Sequence, residues 1–468
     1  MLRGIDPSQG RLRRDVASAL RSASAALILT ALLPAQAQQS GLVATVAHAP
    51  HELRFDWPAV EISSATYEAG PTGLTLFHFP HRVMAVVDVR GGGPGTINTD
   101  MLRLGSAQAD VDNVVITGGS LMGEEAITGA ATGEKDLGMR SGNDMPVAVG
   151  AIIYDLHEHR LNDIYPDKPL AVAALKSLRP GVFPLGAQGA GRMAMQGSLF
   201  DCAAHSGQGA AFRQIGDLKI AVFVVINARG TIVDRQGKVV SCPGNPQWTT
   251  QTAISQFLPT GLDLSDTLLP PSSPTSNTTI SLVVVNRRME PSTLQRLAVQ
   301  VHTSIARAIQ PFSTVEDGDT LFAVSTQEVE PTAGGLTDVG LDITAGEMMW
   351  DAILSSVPDN TRVAVPPAVT PKNPARLSGS YRLGDNVVFD VWEQDGALIL
   401  RPRGEIWFFD LANQPTKLTA TSDTDFYVNS QYRTRLSFVV SQKGRATGVV
   451  VNPGGWALQG QRISDSKH

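Results

Sequence analysis

A chain of 468 residues, 42% hydrophobic and 18% charged, has ample material for a packed core, which excludes a disordered protein, and is too long for one ordinary domain. A formal charge of −6 argues against nucleic acid or an anionic membrane surface as partner. Two cysteines are too few for a disulfide framework.

The first segment reads as a secretory signal. Arg11, Arg13 and Arg14 precede an apolar run over Ala25–Leu33, and Ala35-Gln36-Ala37 is a small-x-small cleavage site. That run is too short to span a bilayer, and no later run reaches the ~20 apolar residues a spanning helix needs. A periplasmic or secreted protein without a membrane span is expected. Removing residues 1–37 takes away five Arg and two Asp and moves the formal charge from −6 to −9. In an oxidising compartment Cys202 and Cys242 could pair, which the sequence leaves open.

From about residue 50 the chain repeats one texture, short β-branched runs closed by glycine-rich turns. Val83–Arg90 ends at Gly91-Gly92-Gly93-Pro94-Gly95, and Asn113–Thr117 ends at Gly118-Gly119-Ser120. Val147–Tyr154, Ile220–Asn227 and Ile280–Val285 are apolar without clean alternation, as strands covered on both faces are. In His157-Glu158-His159 an extended backbone would alternate the three side chains, so solvated polar residues are expected there rather than metal ligands. No other spacing suggests a zinc site, and neither metal nor cofactor is expected.

Helical periodicity is clearest over Thr293–Ile309, where Leu294, Leu297, Val301, Ile305 and Ala308 share a face, Pro291 sits near the start and Pro311 forbids continuation. A second helix is expected over Thr344–Ser356, with Met348, Ile353 and Leu354 as its apolar side. Two-sided strands with amphipathic helices imply a layered α/β domain, helices outside the sheets. Val363–Pro374, with four prolines, reads as a stiff linker. Beyond it the pattern alternates (Val387, Phe389, Val391; Leu398, Leu400; Trp407, Phe409; Phe438, Val440; Val449, Val451), which predicts a small antiparallel β domain over 376–463, sandwich or barrel.

The most informative stretch lies between Thr275 and Asn286. A loop rich in Pro and Ser (Pro270 to Pro274) runs into Asn277-Thr278, and a strand begins at once. Cutting the Asn277–Thr278 bond would give Thr278 a free α-amine beside its own hydroxyl. The ordinary pKa of such an amine, roughly 7.7–8.0, lets it accept the hydroxyl proton at neutral pH without a histidine.

Seven blocks together resemble the D-aminopeptidase and β-peptidyl aminopeptidase family, which includes the nylon-oligomer hydrolases. They are Val87–Thr96, Val114–Ser120, Ala151–Leu156, Gly189–Gly191, Val224–Gly230, Asn277-Thr278 and Asp317–Ala323. The blocks occur in the family's order over residues 50–360. The resemblance implies an α/β/β/α sandwich of the N-terminal-nucleophile kind, cut into an α chain (38–277) and a β chain from 278, forming homo-oligomers of processed units. It implies an amide hydrolase acting through an acyl-enzyme on small peptides, β- or D-amino-acid amides or related oligoamides.

By the same resemblance Thr278 matches the nucleophile, Asn227 the oxyanion-hole amide and Tyr154 the active-site tyrosine. Asp317 and Asp319 match the polar pair near the new amine. The chain also departs from the family pattern. Ser206, in His205-Ser206-Gly207-Gln208-Gly209, stands where a lysine is expected, and Gly189-Ala190-Gly191 continues as Arg192-Met193-Ala194 rather than Thr-Gly-Ala. The C-terminal domain is an addition, loosely similar through Leu377–Tyr381 to small β-barrels appended to serine β-lactamase-like hydrolases. Two other readings stay open: an acyltransferase using the same nucleophile, as in ornithine acetyltransferases, and an exported binding protein without activity.

Overall fold

The computed structural model describes residues 41–46, 50–106, 109–140, 142–156, 164–200, 204–240, 242, 277–357, 368–383, 387–404, 414–428, 435–451 and 458–464. The expected signal segment, His157-Glu158-His159, the Pro/Ser loop before Asn277, Trp407, Phe409, Trp456 and residues 363–367 of the proline-rich linker lie outside the described residues. Cys242 is disulfide-bonded; the chain has one other cysteine, Cys202, also outside them.

Numbering only the strands used below, the main sheet contains β1 (Glu61–Tyr67), β2 (Thr72–Val89), β3 (Asp110–Thr117), β4 (Ala148–Ile152), β5 (Gly207–Ile215), β6 (Leu218–Asn227), β7 (Thr278–Arg287) and β8 (Thr320–Val329). Its order is β5-β6-β7-β8-β2-β3-β4, with β1 beside the first half of β2. All neighbours are antiparallel except β7 with β8 and β3 with β4. Each parallel pair is joined through a helix, as a parallel connection requires. These crossovers are α1 (Glu124–Asp136) between β3 and β4, and α3 (Pro291–Ser304) between β7 and β8. The other two helices are α2 (Lys168–Leu175) and α4 (Asp338–Ser355).

Strand β2 is shared by two halves of the sheet. Residues 72–78 pair with β1, residues 74–78 and 83–84 with β3, residues 84–89 with β8, and the register against β3 shifts between His78 and Val83. A bulge of this kind bends a strand, and the two halves face each other across one core. Phe223, Leu282 and Phe322 from one half pack there with Phe77, Val114 and Val149 from the other; the rings of Phe77 and Phe223 lie 4.8 Å apart. The alternate residues Val222, Val224, Val283, Val285, Leu321 and Ala323 face α3 and α4. On the far side α1 covers β3 and β4, and α2 covers β1 and β2. The result is the expected α/β/β/α sandwich, and burial on both faces explains why these strands do not alternate.

The expected face of α3 is buried throughout, although the α-helix ends at Ser304 and a 3₁₀ turn covers Ile305–Arg307. Helix α4 begins six residues before the expected start, where Thr337 caps it by accepting from the Gly340 N–H at 3.1 Å. Helices α1 and α2 were not legible. A Cβ on Gly129 would meet Lys168 Cα at 2.7 Å, and one on Gly133 would meet a Val172 methyl at 2.7 Å. The close seating of α2 thus demands residues in α1 that weaken its helical pattern.

The C-terminal domain is a closed antiparallel barrel of eight strands, β9 (Gly379–Arg382), β10 (Val388–Gln394), β11 (Ala397–Arg403), β12 (Thr416–Ala420), β13 (Asp425–Val428), β14 (Arg435–Val440), β15 (Ala446–Val451) and β16 (Leu458–Ser464). Closure removes the sheet edges that a domain this small would otherwise expose. Its interior is filled by Tyr381, Phe389, Leu400, Phe426, Phe438 and their neighbours.

Candidate active site

The strand order brings the sequence blocks to one end of the sheet. β7 and β8 run parallel with Ile280 beside Thr320, so their first residues lie together. The neighbours β6 and β2 run the other way and therefore end there, with Asn227 opposite Thr278 and Val89 opposite Thr320. Thr278, Asn227, Asp317–Asp319 and Gly91–Gly93 are thereby assembled from four segments far apart in sequence.

Thr278 is buried, and its hydroxyl donates to the carbonyl of Asn277 at 2.6 Å. The same carbonyl accepts from the backbone N–H of Gly318 at 2.7 Å. The bond preceding Thr278 is thus met from two sides, by the hydroxyl that would attack it and by a donor suited to the oxygen charge that attack would create. Ser198 Oγ donates to Asn277 Oδ1 at 3.4 Å. A Cβ on Gly318 would lie 2.7 Å from Thr278 Oγ1 and 2.9 Å from the Gly93 carbonyl, so glycine leaves the hydroxyl its room.

The two aspartates flank Gly318 and are both shut away from solvent. Asp317 is tied into a turn: Oδ2 accepts from the Thr314 N–H at 2.8 Å and hydroxyl at 2.7 Å, and Oδ1 from the Arg229 N–H at 3.4 Å. Burial raises its pKa against those bonds. Asp319 Oδ1 accepts from the Thr279 N–H at 2.6 Å, and Oδ2 has no hydrogen-bond partner among the described residues. Burial, and next the charge of Asp317, push the Asp319 carboxyl up to about 8. The glycine block holds this turn from behind. Gly91 N–H donates to the Asp319 carbonyl at 3.2 Å and Gly93 N–H to the Asp317 carbonyl at 2.9 Å. A Cβ on Gly91 would meet Asp317 O at 2.3 Å.

Asn227 bridges two further segments. Its Oδ1 accepts from the Met195 N–H at 3.1 Å, and its Nδ2 donates to the Tyr154 carbonyl at 3.0 Å. That bond uses one of the two amide hydrogens and leaves the second for an oxyanion. The Tyr154 carbonyl is thereby tied to Asn227. Its loop is fixed by buried Asp155, which accepts from the Thr72 hydroxyl at 2.7 Å and the Gly119 N–H at 2.7 Å; this accounts for the Gly118-Gly119 block.

Ser206 donates its hydroxyl to the Ile226 carbonyl and its N–H to the Ala194 carbonyl, so it braces the strand end next to Asn227. His205 pairs with Met195 across a short two-stranded ribbon. Burial, and next the charge of Arg192, lower its pKa to about 3, which keeps the imidazole neutral. Gly318, Thr314, Met195 and Arg229 were not singled out from the sequence. Gly318 left a signal, as a small residue in a turn between two aspartates; Met195 and Arg229 act here through backbone N–H groups, which carry none, and Thr314 through its hydroxyl as well as its N–H.

The sequence profile of peptidase family S58 matches residues 55–373. The 6-aminohexanoate-oligomer endohydrolase of Paenarthrobacter ureafaciens is 41% identical over 319 residues, covering 65% of this chain and 85% of that protein. An uncharacterized aminopeptidase of Mycobacterium leprae is 31% identical over 300 residues, 58% of this chain and 76% of that one. Among solved structures, a Burkholderia sp. beta-aminopeptidase aligns at a TM-score of 0.47 with 15% identity, over 66% of this chain and 89% of that chain.

Proposed function

This chain belongs to peptidase family S58, and from that premise we propose that it cuts its own Asn277–Thr278 bond and then uses Thr278 as an N-terminal nucleophile. It is an amide-bond hydrolase. The observation that carries the finer reading is the Thr278 hydroxyl on the Asn277 carbonyl at 2.6 Å, with the Gly318 N–H on the same oxygen at 2.7 Å.

In the first stage Thr278 Oγ attacks the Asn277 carbonyl carbon, and the Gly318 N–H stabilises the oxyanion. The C–N bond breaks as the proton from Oγ passes to the leaving nitrogen, giving an ester and a free α-amine. Water then cleaves the ester, releasing the Asn277 carboxylate and restoring the hydroxyl. In turnover the α-amine takes the Oγ proton and Oγ attacks the substrate carbonyl. Asn227 supplies a donor to the developing oxygen charge. The protonated amine returns its proton to the departing nitrogen, and water releases the acyl group.

Asp319 lies beside the Thr279 N–H and is the partner for the ammonium of Thr278. Both aspartates are buried in the uncut chain, which suits a role toward the enzyme's own amine. Short oligoamides of the 6-aminohexanoate kind are the substrates to try first, with small β- and D-amino-acid amides beside them. An exported setting, supported by the disulfide at Cys242, and a homo-oligomer of processed units belong to the same reading. Intact mass of purified protein tests the core of it: two chains meeting at Asn277/Thr278 are expected, and an active protein of one uncut chain would overturn it.

A further inference from the structure

The matched family segment ends at residue 373, and the barrel begins at Gly379. Among the described residues, one from within the family segment nevertheless belongs to the barrel core. Met193 is fully buried and packs in the cluster of Leu377, Tyr381, Phe389, Phe426 and Phe438.

Met193 sits in the segment that holds Asn227. Two residues on, the Met195 N–H donates to Asn227 Oδ1 at 3.1 Å. Every other residue of this segment is fixed from the hydrolase side. Gly191 presses on Gly207 and Gln208, where a Cβ would meet the Gln208 N at 2.6 Å. Arg192 forms a two-pronged ion pair with Glu68, at 2.7 Å from Nη2 to Oε2. The Ala194 carbonyl accepts from the Ser206 N–H at 3.1 Å, and Gln196 Oε1 from the Ile232 N–H at 3.0 Å. Met193 is anchored in the other domain. Its long unbranched side chain is suited to filling an irregular gap between two independently built surfaces.

We propose that the C-terminal barrel is part of the catalytic apparatus, and that Met193 is the positioning residue through which barrel packing fixes Asn227. This rests on Asn227 acting as the oxyanion donor. A donor works only if it is held where charge will appear. Asn227 accepts its orientation from the Met195 N–H, so slack at Met193 reaches the donor two residues away. The barrel thereby acts on turnover through the place of the donor, and its loss is felt in the transition state.

The test uses the full-length chain with Met193→Gly, Met193→Ala and Met193→Leu. Turnover of a 6-aminohexanoate oligoamide is measured with hydrogen–deuterium exchange of the Met195 amide and with thermal unfolding. In the glycine and alanine variants kcat should fall at least tenfold, up to the 100- to 1,000-fold that loss of an oxyanion donor costs. KM should stay within about twofold of wild type, because ground-state binding does not use the donor. Met195 exchange should quicken, and leucine should restore both readouts. Unchanged kcat in the alanine variant, whatever happens to the melting temperature, overturns the inference. If wild type has no amide turnover, the proposed function fails instead, and the exchange readout still decides the coupling: unchanged Met195 protection rejects it. Should the glycine variant not fold, alanine carries the comparison.

Discussion

Asn227 lies directly across the antiparallel ladder from Thr278. Both point into the space between the two halves of the sheet, since Val225 and Ile280, two residues further in, belong to that core. The positions of Asn227 and Thr278 are therefore set by one strand register, and a one-residue slip would turn Thr278 toward the helices.

Replacing Thr278 by Ala should leave one uncut chain with no turnover, because the hydroxyl that attacks Asn277 is gone. Serine at this position should retain both scission and turnover. Intact mass and an amide assay on the same samples decide; two fragments from the alanine variant would remove the nucleophile from Thr278.

Asn227→Ala should lower kcat by about 100- to 1,000-fold with KM little changed. Scission should persist, because the Asn277 carbonyl takes its donor from Gly318. Steady-state kinetics on fully processed enzyme checks this, and a loss confined to KM would contradict it.

Gly318→Ala should block scission while the fold survives. The new Cβ would sit 2.7 Å from Thr278 Oγ1, which displaces the hydroxyl from the Asn277 carbonyl. Normal processing of this variant by mass, with a near-native circular dichroism spectrum, would show that the hydroxyl does not need its observed place.

Asp319→Asn should lower the pKa of the Thr278 α-amine in processed enzyme, since a neighbouring carboxylate favours ammonium. The pH dependence of N-terminal labelling by an amine-reactive reagent, read by mass, should shift to lower pH. An unshifted curve would place Asp319 away from the amine.

His205 makes the fold acid-sensitive. Its folded pKa, lowered to about 3, lies below the unfolded value near 6.5. Between those values the unfolded chain binds the extra proton, so this contribution is present above pH about 6.5 and is lost as pH falls toward 3. His205→Gln should flatten the decline of melting temperature over that range; an unaltered slope would assign the acid sensitivity elsewhere.

Much of the architecture was legible because it follows from side-chain pattern. Two-sided strands such as Ile220–Asn227 had to be sandwiched, and the apolar face of α3 had to lie on a sheet. The alternating C-terminal strands predicted an antiparallel domain, but closure into a barrel depends on β9 pairing with β16, a contact no local pattern encodes. Helix α1 escaped because close packing selected Gly129 and Gly133, which dilute its helical signal, and α2 is only eight residues long.

The sequence by itself singled out the candidate residues: a threonine after a segment rich in Pro and Ser, an asparagine ending a strand, two aspartates around a glycine. Tertiary structure alone decided where each of them sits and which groups it meets. The Asn277 carbonyl is met by a backbone N–H from Gly318, Asp317 is held within its own turn while Asp319 Oδ2 has no partner among the described residues, and Met193 packs in the barrel core. Backbone donors and long-range packing leave no trace in residue type, because every residue but proline offers the same N–H and only the fold says where it points.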